Sequence, residues 1–268
     1  MAKIFKAISF GLFISTVFYG LGFCSSAQEY FDSANMHDMN GQLTDAITDY
    51  LDVVHNYPND TLAPESLLRA SGCYAEMYNF SKCIELEKQI LTEYPNSSQA
   101  VHAYGIIGMT YSVIGDSDTA ISWFLQRLSK NHDYKNEIER TYYYLANAYY
   151  DKGDYADALA TYQTIVNEYP DWGMVTTQII NDDMAMCYQE LERYDEAIAA
   201  YEVDLSTGNP LFIFKDRVTF NIAQCYEGKK DYAKAKIWYQ KVIDNYHSST
   251  FRPYAIKKVN ILEELKGK

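Results

Sequence analysis

Residues 139–170, ERTYYYLANAYYDKGDYADALATYQTIVNEYP, decide the fold of this chain. The stretch predicts two short amphipathic helices, over residues 138–151 and 155–168. Gly153 and Asp154 fall between them, because glycine adopts the left-handed conformation that ends a helix and aspartate accepts hydrogen bonds from the free N–H groups that begin one. Pro170 ends the second helix. One hairpin cannot bury its apolar face alone, so further copies are expected.

Six copies of this stretch follow one another along the chain. They begin at Ala27, Pro64, Val101, Glu139, Gln178 and Asp216. A nearly fixed period of this length is typical of stacked repeats. We call the copies repeats one to six and number the positions in each from its first residue.

Four columns of residues define the register of the copies. Positions 8 and 20 hold only Ala, Ser, Gly or Cys. Position 11 is Tyr except for His37, and position 24 is Tyr or Phe except for Glu87. Small residues let two helices approach closely, and large aromatic residues fill the space around the crossing. The columns therefore predict a stack of helical hairpins.

In this register the chain resembles the tetratricopeptide repeat (TPR) family. Repeat four carries the family's residues at Tyr142, Leu145, Ala146, Tyr149, Ala158, Tyr162 and Pro170. The resemblance covers residues 27–247 and implies an all-α fold, a right-handed superhelix (α-solenoid) of about six helical hairpins. A further helix, predicted over residues 250–266, would be the C-terminal capping helix that such a solenoid needs.

Residues 1–27 have the pattern of a secretory signal peptide, with Lys3 and Lys6 before an apolar run over residues 7–23. Two cleavage sites stay open. Cleavage after Ala27 would release a soluble TPR domain over residues 28–268. Residues 21–24 also resemble a bacterial lipobox, which would make Cys24 a lipidated N-terminus, although Phe23 departs from that pattern. An uncleaved anchor is a third alternative, for which the run is a little short.

Both cleavage readings predict an exported protein. The loops with Tyr-Pro at residues 57–58, 94–95 and 169–170 are similar to those of TPR proteins of the bacterial envelope. Examples are the periplasmic partner of the Tol-Pal system and the TPR lipoprotein of the outer-membrane assembly machine. The resemblance implies a periplasmic location, free or attached to the outer membrane.

The charge of the chain argues against nucleic acid as a partner. The formal net charge is −13, and cleavage of the signal peptide would remove two lysines and no acidic residue. Such a surface repels phosphate backbones and anionic lipid headgroups. Contact with a membrane is therefore expected only through a lipid at the N-terminus or an uncleaved signal.

No pattern of catalytic or metal-binding residues stands out. The five histidines include no metal-ligand spacing, and the sequence has neither a Gly-rich phosphate loop nor a G-x-S-x-G motif. We therefore expect a protein that has no cofactor, no metal site and no enzymatic activity. Asp116, Asp154 and Asp231 share position 16, where capping of a helix is the simpler role.

The cysteines after residue 27 fall in packing positions of the repeats. Cys73, Cys187 and Cys225 share position 10, and Cys83 lies at position 20. An even number of cysteines in an exported protein also permits disulfides. The register favours four buried free thiols.

The candidate functional surface is the groove that first helices line in TPR-like solenoids, through positions 2, 5, 6, 9, 12 and 13. The candidate partner-binding residues are Arg140, Tyr143, Tyr144, Asn147, Tyr150, Asp182, Asp183, Met186, Gln189, Phe220, Asn221 and Gln224. Arg69 and Ile106 hold the same positions in repeats two and three. Aromatic side chains offer contact area, and amides hold an extended backbone.

The resemblance also suggests the charge of the partner. Family members that bind a C-terminal carboxylate use lysine in this groove, and the candidate residues include none. The acidic pair Asp182–Asp183 instead predicts a basic or mixed partner.

The leading hypothesis is a non-enzymatic scaffold of the bacterial cell envelope that binds a partner peptide or protein in the groove. Its oligomeric state is left open. A lipid-anchored structural subunit of an outer-membrane or cell-wall complex is the alternative. A cell-wall or glycan-active enzyme is a remote one, and it would need an acid pair such as Asp182 with Glu227.

Overall fold

The computed structural model of the chain describes residues 26–130, 135–169, 174–206 and 214–266. These four ranges contain thirteen α-helices and no strand. The helices are α1 (Ala27–Met39), α2 (Leu43–Asn56), α3 (Leu62–Glu76), α4 (Phe80–Glu93), α5 (Ser98–Ile114), α6 (Ser117–Leu128), α7 (Lys135–Lys152), α8 (Tyr155–Glu168), α9 (Met174–Glu190), α10 (Tyr194–Ser206), α11 (Lys215–Gly228), α12 (Tyr232–Asn245) and α13 (Arg252–Lys266).

The signal-peptide prediction falls almost wholly outside these ranges. Residues 1–25, which include the lipidation candidate Cys24, are not among the described residues, and neither is Pro170. The first described residue, Ser26, caps α1: its hydroxyl accepts from the Glu29 backbone N–H at 3.2 Å. None of the helices in the described ranges is both long and apolar enough to span a bilayer.

The chain divides into two compact units, residues 1–110 and 111–268. Unit 1 has one core that combines α1 to α4 with the first turns of α5. In unit 2 the core consists of successive clusters along α7 to α13. Each cluster is built on the repeat columns, so the sequence periodicity dictates the packing within each unit.

The two small-residue columns lie at the helix crossings, as predicted. All six residues at position 20, from Ala46 to Ala235, are completely buried. The aromatic residues at position 24 are also buried: Tyr50, Phe124, Tyr162, Tyr201 and Tyr239. The tyrosines at position 11 differ, because each is only half-buried. Position 24 therefore supplies the core aromatic, and position 11 covers the edge of the crossing.

The turn inside every hairpin has the same backbone conformation. Position 15 is left-handed in all six repeats, with glycine at Gly41, Gly115 and Gly153 and another residue at Tyr78, Glu192 and Lys230. Their φ angles lie between 57° and 89°. Glycine adopts this conformation without strain, whereas a side chain makes it less favourable. The register fixes the turn even where the sequence lacks glycine.

The helix after the turn has a side-chain cap in only some of the repeats. Asp116 and Asp231 accept from the backbone N–H groups of Thr119 and Lys234, both at 3.1 Å. Asp154 makes no such bond, so its predicted capping role is wrong. Its carboxylate instead pairs with the Lys152 ammonium at 2.8 Å, which draws it away from the helix end.

The cysteines match the prediction. Cys73, Cys83, Cys187 and Cys225 are free and buried. Burial raises the pKa of Cys73, Cys187 and Cys225 to about 12, since a thiolate is poorly solvated in these slots.

Candidate partner-binding groove

A cavity of about 220 Å³ in unit 2 brings predicted groove residues together. It is lined by Asn147, Tyr150, Asp151, Tyr162, Asp183 and Met186. Four of them, Asn147, Tyr150, Asp183 and Met186, are among the twelve candidates. They come from α7 and α9, the first helices of repeats four and five, so successive repeats place groove positions side by side.

Asp183 gives the cavity its acidic character. Its Oδ2 is buried and has no hydrogen-bond partner among the described residues. The Tyr143 hydroxyl hydrogen-bonds to the same carboxyl group. Burial, with the neighbouring charge of Asp182, raises the pKa of Asp183 to about 7. An incoming cation would find an acceptor here that no protein group occupies.

A hydrogen bond from the core aromatic residue of the same hairpin holds the Asn147 side chain in place. The Tyr162 hydroxyl donates to the Asn147 Oδ1. Tyr50 makes the same contact with Asn35 in repeat one, at 2.8 Å. The buried column at position 24 therefore fixes an amide at position 9 of the groove in these two repeats.

Two tyrosines, Tyr150 and Tyr162, line the cavity, and further aromatic rings pack beside them along α7. The Tyr143 ring lies 6.1 Å from that of Tyr162, and Tyr150 packs edge-on against Tyr155 at 5.2 Å. The Tyr144 ring stacks on that of Phe124 at 6.1 Å. Tyr143, Tyr144 and Tyr150 are half-buried, so each is partly accessible at the surface. Arg140, one turn earlier, is exposed.

Two candidates are core residues, which corrects the expectation that all twelve are free of packing roles. The side chain of Asp182 is 1% exposed, and its Oδ2 accepts from the Arg217 Nη2. Phe220 is buried between the rings of Tyr239 and Phe251, each 5.3 Å away. Both residues hold the groove helices in place, because a neighbouring repeat or α13 covers their side chains.

The remaining candidates lie along α9 and α11. The Asn221 Nδ2 donates to the Tyr201 hydroxyl at 3.1 Å, and that hydroxyl lies 3.4 Å from the Gln189 Oε1. The side chains of Asn221 and Gln189 are thus joined through a core tyrosine. Gln224 lines a second cavity in unit 2.

That second cavity, of about 610 Å³, includes residues that sequence reasoning missed. It is lined by Phe220, Gln224, Phe251, Tyr254, Lys257, Lys258 and Ile261. The predicted capping helix α13 thus contributes to the groove. Extending the repeat spacing once more would have found this: a seventh copy starting at Pro253 places four of these lining residues at groove positions 2, 5, 6 and 9. Lys258 is paired with Glu227 at 2.8 Å.

The described residues contain no group of three or more His, Cys, Asp or Glu side chains placed to hold a metal ion. The acid pair of the remote enzyme hypothesis is engaged elsewhere. Asp182 binds Arg217, while Glu227 accepts from Tyr239 at 2.7 Å and pairs with Lys258.

Comparisons with known proteins agree with the repeat register. A tetratricopeptide repeat model matches residues 140–171, and a second one matches residues 181–202 and 217–246. None of the curated proteins compared with the chain matches it.

Several solved structures share the fold. YrrB, described as a TPR protein with an unusual peptide-binding site, is 16% identical with a TM-score of 0.57, over 78% of this chain and 97% of its own. The MamA protein is 19% identical with a TM-score of 0.54, over 78% of this chain and 94% of its own. A tetratricopeptide repeat protein from Parabacteroides merdae is 14% identical with a TM-score of 0.52, over 88% and 84%.

At these sequence identities, structural similarity is evidence for a shared fold and for nothing more specific. Together with the family models and the six left-handed turns in register, it confirms the predicted fold class. The chain carries tetratricopeptide repeats and belongs to the all-α, TPR-solenoid class of folds.

Proposed function

We propose that the protein is an interaction scaffold whose groove in unit 2 holds an extended segment of a partner protein, with an arginine side chain of that segment in the Asp183 cavity. Repeats of this class indicate a protein-interaction scaffold. The observation that carries the proposal is the meeting of Asn147, Tyr150, Asp183 and Met186 around one cavity.

The lining of the cavity favours arginine over other side chains. The cavity, of about 220 Å³, has room for one side chain of a partner. The half-buried ring of Tyr150 offers a face on which a planar guanidinium can stack. Asp183 offers a carboxylate oxygen without a partner, and charge-assisted bonds to guanidinium are among the strongest hydrogen bonds in proteins.

The structural neighbours support this proposal at the level of the fold. YrrB is described as having a peptide-binding site, and its structure aligns with most of this chain. The acidic balance of the sequence is also compatible with a basic partner segment.

A titration with short peptides tests the proposal. An N-acetylated, C-amidated Gly-Gly-Arg-Gly-Gly peptide is added to the isotope-labelled chain, and amide NMR shifts are followed. The citrulline peptide is the control, because citrulline has the shape of arginine without the charge. We expect shifts around Asn147 and Met186 with arginine and about tenfold weaker binding with citrulline.

Two variants make that titration specific. Asp183→Asn removes the acceptor charge from the cavity and should weaken arginine binding by about tenfold or more. Glu202→Gln removes one negative charge from an exposed position of α10 and should change nothing. Equal binding by Asp183→Asn and the unchanged chain would reject the cavity as the arginine site.

We further propose that the scaffold acts in the bacterial envelope. The signal-peptide pattern of residues 1–27 and the Tyr-Pro loops support this location. The alternative, a lipid-anchored structural subunit, depends on Cys24. Labelling with a radioactive fatty acid separates the two: a labelled chain that loses its label in Cys24→Ala supports the anchored form. An unlabelled chain in the periplasmic fraction supports the soluble one, and a cytoplasmic chain contradicts both.

A further inference from the structure

Repeat two departs from the others at position 24, where Glu87 replaces the core aromatic. In repeats one and four, the tyrosine at this position reaches position 9 of the groove and bonds to Asn35 or Asn147. Glu87 is shorter than tyrosine, and position 9 of its repeat is Gly72. The ring and the amide that meet in repeats one and four are therefore both missing from repeat two.

A cavity of about 390 Å³ lies at the corresponding place in unit 1. Its wall includes Ser71, Gly72 and Cys83, which are inner or groove positions of repeat two. The Ser71 hydroxyl donates to Glu87, which is completely buried and follows Cys83 by one turn of α4. The Glu87 Oε2 has no hydrogen-bond partner in the described chain. Glu87 does not line the cavity itself, but its carboxyl group is hydrogen-bonded to Ser71, which does.

The rim of the cavity is acidic. Asp38, Glu65 and Glu76 line it, and only Arg69 carries a fixed positive charge among its lining residues. Glu65 pairs with that guanidinium at 2.9 Å, which leaves the other two carboxylates without a basic partner. Asp38 receives only a weak bond from the Cys73 thiol, at 3.7 Å. The cavity therefore attracts cations.

The walls of the cavity are aliphatic. Leu68, Ala75 and Ile106 line it, and no aromatic ring other than the imidazole of His102 does so. A lysine side chain matches this lining, because four methylenes precede a compact ammonium group with three donors. A guanidinium would find no tyrosine or tryptophan face to stack on here.

We infer that the unit 1 cavity binds the side chain of a lysine from a partner protein, with its methylenes between Leu68 and Ile106 and its ammonium group toward Asp38, Glu76 and Glu87. This site does not rest on the proposed arginine site. The two cavities lie in different units, are lined by different residues and are tested by different variants.

The cavity can be closed from either side to test the inference. Glu87→Tyr restores the aromatic residue of the other repeats and fills the space from α4. Gly72→Leu fills it from α3, where a Cβ meets no atom within 4 Å and the helix gains a better helix former. Gly72→Ala is the matched control, since it adds one methyl group and leaves most of the volume open.

The probe is an N-acetylated, C-amidated Gly-Gly-Lys-Gly-Gly peptide, followed by amide NMR. The same peptide with norleucine keeps the methylenes without the amine. We expect the lysine peptide to shift the amide signals of Gly72, Ala75 and Cys83. The norleucine peptide should bind at least about tenfold more weakly than the lysine peptide. Glu87→Tyr and Gly72→Leu should abolish binding, whereas Gly72→Ala and Asp183→Asn should retain it.

The pH dependence of this binding gives a second readout. Burial raises the pKa of Glu87 to about 8, so the group is protonated at neutral pH and must release its proton to pair with an ammonium ion. Affinity for the lysine peptide should therefore rise with pH up to about 8 and then level off. The Glu87→Gln chain should not show this rise in affinity. Above pH 8 it should bind the lysine peptide about tenfold more weakly than the unchanged chain does.

Other ionisable groups face the same cavity and are common to both forms of the protein in that comparison. They are Asp38 from α1, Glu65, Arg69, Cys73 and Glu76 from α3, Cys83 from α4 and His102 from α5. A difference between the unchanged chain and Glu87→Gln therefore isolates Glu87.

Three results would overturn the inference. One is equal binding of the lysine and norleucine peptides. Another is undiminished lysine binding in a folded Glu87→Tyr or Gly72→Leu chain. The third is the absence of any shift around the cavity at millimolar peptide. Far-ultraviolet circular dichroism of each variant establishes that it is folded.

Discussion

The Ser71 hydroxyl donates a hydrogen bond to the Glu87 carboxyl group at the same two repeat positions where repeat four packs Ala146 against Tyr162. Both polar side chains are completely buried. Burial of Glu87 favours its neutral form, although the Ser71 hydrogen bond opposes this, and the net effect raises the pKa to about 8. The protein has therefore replaced a packing contact with a buried acid.

That acid makes stability depend on pH. The unfolded chain loses the Glu87 proton near the ordinary glutamate pKa of 4.5, whereas the folded chain keeps it to about pH 8 because burial raises the pKa. Between these values the folded state binds the extra proton, so the free energy of unfolding falls as pH rises, by at most about 1.4 kcal/mol per pH unit. Glu87→Gln should show a shallower decline in urea unfolding across this range.

Glu85→Gln is the control for that comparison, because it removes an exposed carboxylate from the same helix. Its pH profile should match that of the unchanged chain. If Glu87→Gln also matches it, Glu87 is ionised in the folded protein and the account of this site is wrong.

The ion pair between Asp182 and Arg217 should be asymmetric in its effect. Arg217→Met leaves the Asp182 carboxylate buried without its partner, which should cost about 3–5 kcal/mol at neutral pH. The loss should shrink in acid, where Asp182 takes up a proton. Asp182→Asn should be milder, because the Arg217 side chain is 31% exposed and can turn to water.

Urea unfolding at neutral and acidic pH measures both variants of that pair. Arg193→Met, which breaks an exposed ion pair with Glu196, should cause a barely measurable change in the free energy of unfolding. Equal losses for Arg193→Met and Arg217→Met would mean that the Asp182 pair is solvated.

The two tyrosine columns should differ in their contribution to stability. Tyr162 at position 24 is buried, so Tyr162→Ala should cost about 3–5 kcal/mol. Tyr149 at position 11 is half-buried, and Tyr149→Ala should cost clearly less, since part of its ring already contacts water. Denaturant melts compare the two. A larger loss at Tyr149 would contradict the packing at the crossing.

The four buried thiols should be unreactive in the folded protein. Their burial and the high pKa of Cys73, Cys187 and Cys225 leave almost no thiolate at neutral pH. Iodoacetamide without reductant should modify none of the four in buffer and all four in guanidinium chloride. A pair that resists alkylation after unfolding would reveal a disulfide by mass spectrometry and would refute the free-thiol assignment.

Much of the fold follows from the sequence because each repeat position has one packing environment. Only small residues fit where two helices cross closely, so the columns at positions 8 and 20 predict the crossing. The left-handed turn at position 15 also follows for Gly153. It does not follow for Tyr78 or Lys230, where the repeat imposes a conformation that their side chains disfavour.

The groove was harder to derive, because a position in the repeat does not reveal what covers it. Asp182 and Phe220 hold groove positions, yet Arg217 of the next repeat covers the first and Phe251, just before α13, covers the second. Lys257 and Tyr254 were missed for the opposite reason. The sequence of α13 indicates a capping helix, but the repeat spacing also extends into it and places some of its residues at groove positions.

The central claim is that the unit 2 groove binds the partner, and site-specific photo-crosslinking in the cells that produce the protein tests it most directly. A photoreactive residue replaces Arg140, which is exposed on α7, or Glu202, which is exposed on the second helix of repeat five. We predict a crosslinked partner from position 140 that is lost when Asp183→Asn is added, and none from position 202. Equal crosslinking from both positions, or a yield at position 140 that Asp183→Asn leaves unchanged, would contradict the claim.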